Sequence, residues 1–327
     1  MTLTTTRGAR HLIAIGLAAA TATACGVVLN DRPRTAARNP GAPLSELWVE
    51  PQDIASRNLL IGSGRPETAP SNNIEYKVLK FDPSGYSKGF DVEAPDGRKW
   101  DIKVGKESQT EIVLSRVLWA LGYYQPATYF MDGWRLDEQW DLEGRAARFR
   151  LQSDHTVEGE WNWLDNPFES SRAFGGLIAI NLLFNNWDLK NNNNRVYTVP
   201  GPDGTRIRRY VVQDLGASLG TFQKFPYLIG TRNEVDDVES SSFVRKVEGS
   251  KVELTYRGRH QDVLRQLRVA DVIWACELMN ELSDDQLDDA FKAAKYDEGT
   301  RARFIKKIRA KIREGLELRK FAAVLED

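Results

Sequence analysis

A chain of 327 residues is long enough to bury a substantial core, as one large domain or as two lobes sharing a cleft. Charged residues make up 28% at a formal net charge of −1, so no basic excess exists to release counterions, and nucleic acid is excluded as an expected partner. Cys25 and Cys276 are the two cysteines, and with three histidines they offer no Cys/His spacing for a zinc site.

The N-terminus carries Arg7 and Arg10, then an apolar run from Leu12 to about Ala20, then small residues. That is the layout of an export signal, and the run is too short for an ordinary membrane span. "TAC" at Thr23 to Cys25, followed by Gly26, resembles a bacterial lipobox, with Ala22 where that pattern prefers Leu. "ATA" at Ala22 to Ala24 reads equally as a plain signal-peptidase site. Residues 1–25 are therefore expected to be a signal peptide, with Cys25 as the lipidation site on the lipobox reading. The protein is expected in the cell envelope, meeting the membrane only through such an anchor. A cytoplasmic protein with a mis-chosen start codon is the alternative. Residues 26–70, rich in Pro, Arg, Asn and Ser, read as a tether with a docked piece near "LWVEPQDIASRNLL".

From Tyr76 the pattern turns to strands. "EYKVLKF", "GFDVEAP" and "RKWDIKVG" alternate, with "APDG" as a tight turn between the last two. "SQTEIVLSRVLWALGYY" is helical: Ile112, Leu114, Val117, Leu118 and Leu121 form an apolar stripe that Gly122 can end. Short strands follow, including "ATYFMD", "RAARFRLQS" and "GEWNWLDNPF", where Trp161, Trp163 and Phe168 read as packing residues. "SSRAFGGLIAINLLFNN" is a second, buried helix. It leads into "NNWDLKNNNNRV", then a hairpin whose last strand ends in "VVQDLG". Residues 221 to about 257 read as irregular loop with a hairpin, and the remainder as helices. Among these, Ser283 and Gln286 have capping-box spacing and Cys276 reads as a core thiol.

Taken in order, the polar positions form a constellation. Gly85 and Gly89 lie in the first turn, Lys103 on the third strand, Glu111 on the helix, Asp188-Leu-Lys190 with Asn193 behind the buried helix, and Asp214 at the last strand end. This order resembles the protein-kinase-like fold in its atypical branch, with the phosphatidylinositol kinases, HipA-type kinases and secretory-pathway kinases. It also resembles a group of bacterial proteins with "GFDVED"- and "NNWDLK"-like segments. The resemblance covers roughly Tyr76 to the C-terminus. It implies an α+β, two-lobed fold with a strand-rich N-lobe over about 71–135 and a mainly helical C-lobe over 136–327. It further implies Mg or Mn with ATP.

In that scheme Lys103 meets the inner phosphates and pairs with Glu111, while Glu107, expected in the loop before the helix, ranks second. Backbone amides from Gly85 to Gly89 cover the phosphates. Asp188 orients or deprotonates an acceptor hydroxyl, Lys190 offsets the charge of the transferring group, and Asn193 and Asp214 hold the metal. Asn186-Trp187 stand where His-Arg usually precedes the catalytic aspartate, and "DLG" stands for "DFG". The expected function is phosphotransfer from a metal-bound nucleotide to an unidentified hydroxyl acceptor. The alternatives are an exported pseudokinase acting as a binding lipoprotein, and a hydrolase using Asp188 and Asp214 as a carboxylate pair.

Overall fold

Alternating side chains set up the first sheet. The computed structural model describes residues 41–222 and 230–322; Cys25, the export signal and part of the 221–257 segment lie outside them. Strands β1 (Glu75–Asp82), β2 (Lys88–Glu93) and β3 (Lys99–Val104) run as an antiparallel meander. After helix α1 (Glu107–Ala120) come β4 (Thr128–Met131), the short β5 (Arg135–Leu136) and β6 (Ala147–Leu151). The six strands form one sheet in the order β4-β6-β3-β2-β1-β5. Phe90, Val92, Trp100, Ile102 and Phe149 share one apolar layer with Tyr76 and Trp134. Residues between them on the same strands, Asp91, Asp101, Lys103, Arg148 and Arg150, therefore point to the opposite face. The expected lobe boundary at 135 cuts this sheet. β6 inserts between β3 and β4, so the strand-rich unit reaches Leu151.

Helix α1 is buried nearly all round, not along a single stripe, because it is packed on both sides. It contacts β3, β4 and β6 on one side and α6 (Asp284–Lys292) on the other. Gly122, at φ +93°, turns the chain out of it. The docked piece expected in the tether is present. Leu47, Ile54 and Leu59 are buried in the main core, and Trp48 Nε1 donates to the Leu121 carbonyl at 2.8 Å. Gln286 Nε2 donates to the carbonyls of Ile54 (2.8 Å) and Arg57 (2.9 Å), tying this strap to α6.

The second lobe is built around α2 (Arg172–Leu183), apolar throughout its centre and N-capped by Ser171. Strand β7 (Thr156–Gly159) precedes it, and the asparagine loop after it runs through a 3-10 turn at Asn191–Asn193. The hairpin β8 (Asn194–Pro200) and β9 (Arg206–Val212) then makes a three-stranded sheet with β7. α3 (Val235–Ser240) leads to a second small sheet, β10 (Val244–Glu248), β11 (Lys251–Leu254) and β12 (Gln266–Arg268), with α4 (Gln261–Leu264) inside the last connection. α5 (Val269–Glu281), α6, α7 (Glu298–Leu316) and α8 (Arg319–Ala322) complete the chain. Ser283 and Gln286 form the capping box that opens α6. Gly315 lets α7 lie against the buried Cys276 of α5. No helix among the described residues is long and apolar enough to cross a membrane. The result is an α+β, two-lobed architecture: a strand-rich lobe with one helix between its third and fourth strands, then a mainly helical lobe.

Candidate active site

Lys103 is placed by β3. Alternation turns Trp100, Ile102 and Val104 into the apolar layer and leaves Asp101 and Lys103 on the charged face. Its ammonium lies 2.9 Å from both oxygens of Asp214, 3.1 Å from Glu107 and 3.9 Å from Glu111. The expected ranking of the two glutamates is thus reversed. Glu107 is not in a loop. It is the first residue of α1, one helical turn nearer the lysine. Glu111 is instead held by Arg148 (2.9 Å) and by Arg150, both on β6. Burial works to discharge Lys103, but Asp214, Glu111 and Glu107 outweigh it and hold its pKa above the ordinary lysine value. Burial likewise works to raise Asp214. The charge and hydrogen bonds of Lys103, with the Gly216 N–H at 3.2 Å, overcome it and hold the carboxyl below the usual range.

Asp214 ends the hairpin strand β9, and Gly216 follows at a close approach. A Cβ there would lie 2.7 Å from Glu107 Cβ, so "DLG" needs its glycine to pass α1. On the other side of the cleft the asparagine loop organises itself. Asn193 Nδ2 donates to the Asp188 carbonyl at 2.6 Å and lies 3.5 Å from Asp188 Oδ2. Lys190 pairs with Asp188 at 2.7 Å. Trp187, standing where histidine-arginine was expected, packs as an anchor, its Nε1 donating to the Thr231 carbonyl at 2.7 Å.

A cleft of about 230 Å³ brings together Gly89, Lys103, Asn193 and Asp214. Asp188 and Lys190 adjoin it through Asn193, and Glu111 lies behind it among the arginines. Gly85 does not line it. It is an exposed turn residue at φ +77°. Its loop is nonetheless pinned down: Ser87 Oγ donates to Glu107 at 2.7 Å, and the Tyr86 ring lies 3.8 Å from the Arg232 guanidinium. Arg232 also covers the Trp187 ring at 4.8 Å and pairs with Glu107 at 2.9 Å.

Several of these groups went unnoticed in the sequence: Asp101, Arg148, Arg150, Arg195 and Gln213 on the cleft wall, and Arg232 with Tyr86 above it. Asp101 bridges both arginines, at 3.0 Å from Arg148 and 3.1 Å from Arg150. Burial works to raise its pKa, and the two guanidiniums hold it below the ordinary value. The period-two run Arg148-Phe149-Arg150 was the available signal, since it forces both arginines onto the Lys103 side.

The donor set suits a divalent cation carried in by phosphate rather than caged by protein. Among the described residues no three His, Cys, Asp or Glu side chains gather as a metal cluster. Of the four carboxylates that line the cleft, Asp101 is bridged by two arginines, and Asp214 is the one that the Lys103 pair brings together with the Asn193 amide and Gln213, whose buried Oε1 has no hydrogen-bond partner. One carboxylate plus phosphate oxygens and water is the usual way magnesium is held.

No protein-family model matches the chain, and no curated protein matches it. Among solved structures, a proinflammatory kinase of Helicobacter pylori, CtkA, is similar at 8% identity with a TM-score of 0.49, the match covering 77% of this chain and 97% of that one.

Proposed function

We propose that the chain is a kinase-like phosphotransferase, moving a phosphoryl group from a metal-bound phosphoanhydride donor to a hydroxyl acceptor. The observation that carries the reading is the Lys103–Asp214 pair, 2.9 Å across one cleft, with the Asp188–Lys190–Asn193 loop alongside. Across the cleft the two charges neutralise each other. A donor bringing a cation and phosphate together gives each a new partner: the cation for Asp214, the phosphate oxygens for Lys103. The exchange conserves charge, so neither group is left buried and unpaired. A bound divalent cation supplies electrostatic stabilisation of the transferring group. Asp188 Oδ2 accepts or orients the hydroxyl proton. Lys190 pairs with that carboxylate and holds it in place. Asn193 fixes the loop's curvature through its bond to the Asp188 carbonyl.

The hydrolase reading loses ground on the same geometry. A carboxylate pair leaves Lys103, Glu111 and Asn193 without a role, and Asp214 is already taken up by Lys103 at 2.9 Å. A binding module without turnover has one observation in its favour, the mutual pairing of the cleft's own charges. Two variants separate the readings. Asp214→Ala should abolish stabilisation by a Mg- or Mn-phosphate ligand in a thermal-shift assay. Asp188→Asn should keep that stabilisation and lose about 100- to 10,000-fold in turnover. Stabilisation by ligand with no turnover by the unaltered protein leaves the binding module. No stabilisation by any metal-phosphate ligand removes the phosphotransferase.

A further inference from the structure

The cleft wall has a chemistry that bears on the identity of the donor. Sixteen residues line it, and nine are charged: Lys80, Lys103, Arg148, Arg150 and Arg195 against Asp82, Asp91, Asp101 and Asp214. The two apolar members, Phe90 and Ile102, face each other across β2 and β3 and belong to the apolar layer on the far side of the sheet. Their side chains are 2% and 0% exposed, so the cleft meets their backbone. The strand face above the Lys103 position is thus polar along its length, through Asp91, Asp101, Arg148 and Arg150.

A nucleobase binds by laying its flat faces on apolar or aromatic groups, with a few polar contacts at its edge. Among the described residues that line the cleft, no apolar side chain offers such a bed. Arginine planes can stack on bases, but those of Arg148 and Arg150 are 2% exposed and held edge-on by Asp101, Glu111 and the Gln213 carbonyl. Arg195 Nη1 is engaged by the carbonyls of Asn192 (2.7 Å) and Asn194 (2.8 Å). A base laid on this wall would strip water from charges and return few hydrogen bonds. Size points the same way. The cleft holds about 230 Å³, below the roughly 300–1,000 Å³ of sites that enclose drug-sized ligands. An apolar groove of about 480 Å³ does exist, lined by Trp163, Phe174, Ile178, Leu264 and Leu267, but it shares no residue with the cleft.

Resting on the phosphotransfer reading, we infer that the donor is a phosphoanhydride chain without a nucleobase, of which inorganic tripolyphosphate is the simplest form. The far end of such a chain is another phosphate. It meets Arg195, whose side chain is part-exposed at the cleft wall, where a nucleoside would need an apolar floor. In the transfer step the acceptor oxygen bonds to the terminal phosphorus, the bridging P–O bond breaks, and the shortened polyphosphate leaves. The acceptor proton passes to Asp188 and then to solvent.

The test uses the full-length protein with magnesium or manganese and three probes at equal concentration: tripolyphosphate, ATP and adenosine. Calorimetric titration should find tripolyphosphate binding at least as tightly as ATP, and adenosine not binding. Binding of ATP tenfold or more tighter than tripolyphosphate, or measurable binding of adenosine, overturns the inference and leaves the phosphotransferase standing. No binding of either phosphate ligand removes both. Arg195→Gln should weaken tripolyphosphate about tenfold while the denaturation midpoint stays near that of the unaltered protein. Unchanged affinity in that variant overturns the placement of the chain. Should the variant fail to fold, the three-probe comparison on the unaltered protein decides alone.

Discussion

Among the described residues two lysines, one in each lobe, are withdrawn from solvent, Lys311 fully and Lys103 for the most part, and the surroundings give them opposite charge behaviour. Lys103 lies among Asp214, Glu107 and Glu111, which hold its pKa above the ordinary value against the effect of burial. Lys311, on α7, is 0% exposed and has no carboxylate at contact distance. Its ammonium donates to the Leu183 carbonyl at 3.0 Å and to Asn185 Oδ1, at the point where α2 gives way to the asparagine loop. Burial lowers its pKa to about 7, Lys307 adding to the fall and Glu314 opposing it. Carbonyl dipoles satisfy the hydrogen bonds of a buried ammonium without offsetting its charge, whereas carboxylates do both. The cleft therefore holds a permanent cation, and the helical lobe holds a clamp that loses its charge near neutrality.

Removing Lys103 breaks the comparison at its stronger end. Lys103→Met leaves Asp214, Glu107 and Glu111 facing one another with only Arg232, Arg148 and Arg150 nearby. Stripping one member from a buried charge cluster costs about 3–5 kcal/mol. The lower end is expected because the Asp214 side chain is 38% exposed and water can screen it. Chemical denaturation at pH 7 measures the loss. A midpoint equal to that of the unaltered protein would mean the three carboxylates never depended on the lysine.

The other lysine is tested by pH. With a folded-state pKa near 7 against an ordinary 10.5, Lys311 is deprotonated in the folded chain and protonated in the unfolded one between those values. The unfolded state then binds more protons, so stability rises with pH across that window, and it is flat below about pH 7 where both states are charged. The unaltered protein should gain about 2 kcal/mol over Lys311→Met between pH 7 and pH 9. Other titrating groups are common to both chains and cancel in the difference. Stability curves that run parallel across this range would show that Lys311 titrates as an ordinary lysine.

The contrast also explains what could be read in advance. Lys103, Asp188, Asn193 and Asp214 were legible because each is fixed by local pattern: a strand alternation, a loop behind an apolar helix, a strand end before Leu-Gly. Arg148 and Arg150 were visible as alternating residues, but alternation alone does not say which face meets a cleft. That depends on β6 pairing with β3, a contact between distant parts of the chain. The same pairing moved the lobe boundary. The choice between Glu107 and Glu111 turned on where α1 begins, and a helix start is uncertain by about one or two residues even in structures. Lys311 sits in a run of basic residues whose helical spacing says only that some face is buried. Nothing local marks which lysine faces the core.

A third buried cation sharpens the comparison, because its partners are of mixed kind. Arg232, 8% exposed, has one carboxylate, Glu107 at 2.9 Å, and two aromatic rings, Tyr86 at 3.8 Å and Trp187 at 4.8 Å. Tyr86 is itself 60% exposed, so its ring is worth only about 0.5–1 kcal/mol to the guanidinium. The global stability of Tyr86→Ala should fall by no more than that, while Tyr86→Phe, which keeps the ring, should match the unaltered protein. The local consequence is larger than the energy suggests, because Tyr86 and Ser87 are the two residues that fasten the β1–β2 turn to groups below it. With Tyr86 gone the turn is held by the Ser87–Glu107 hydrogen bond, and amide exchange across 83–88 should quicken relative to β3. If exchange there is unchanged in Tyr86→Ala, the ring merely rests on Arg232, and Glu107 and Trp187 keep that arginine in place.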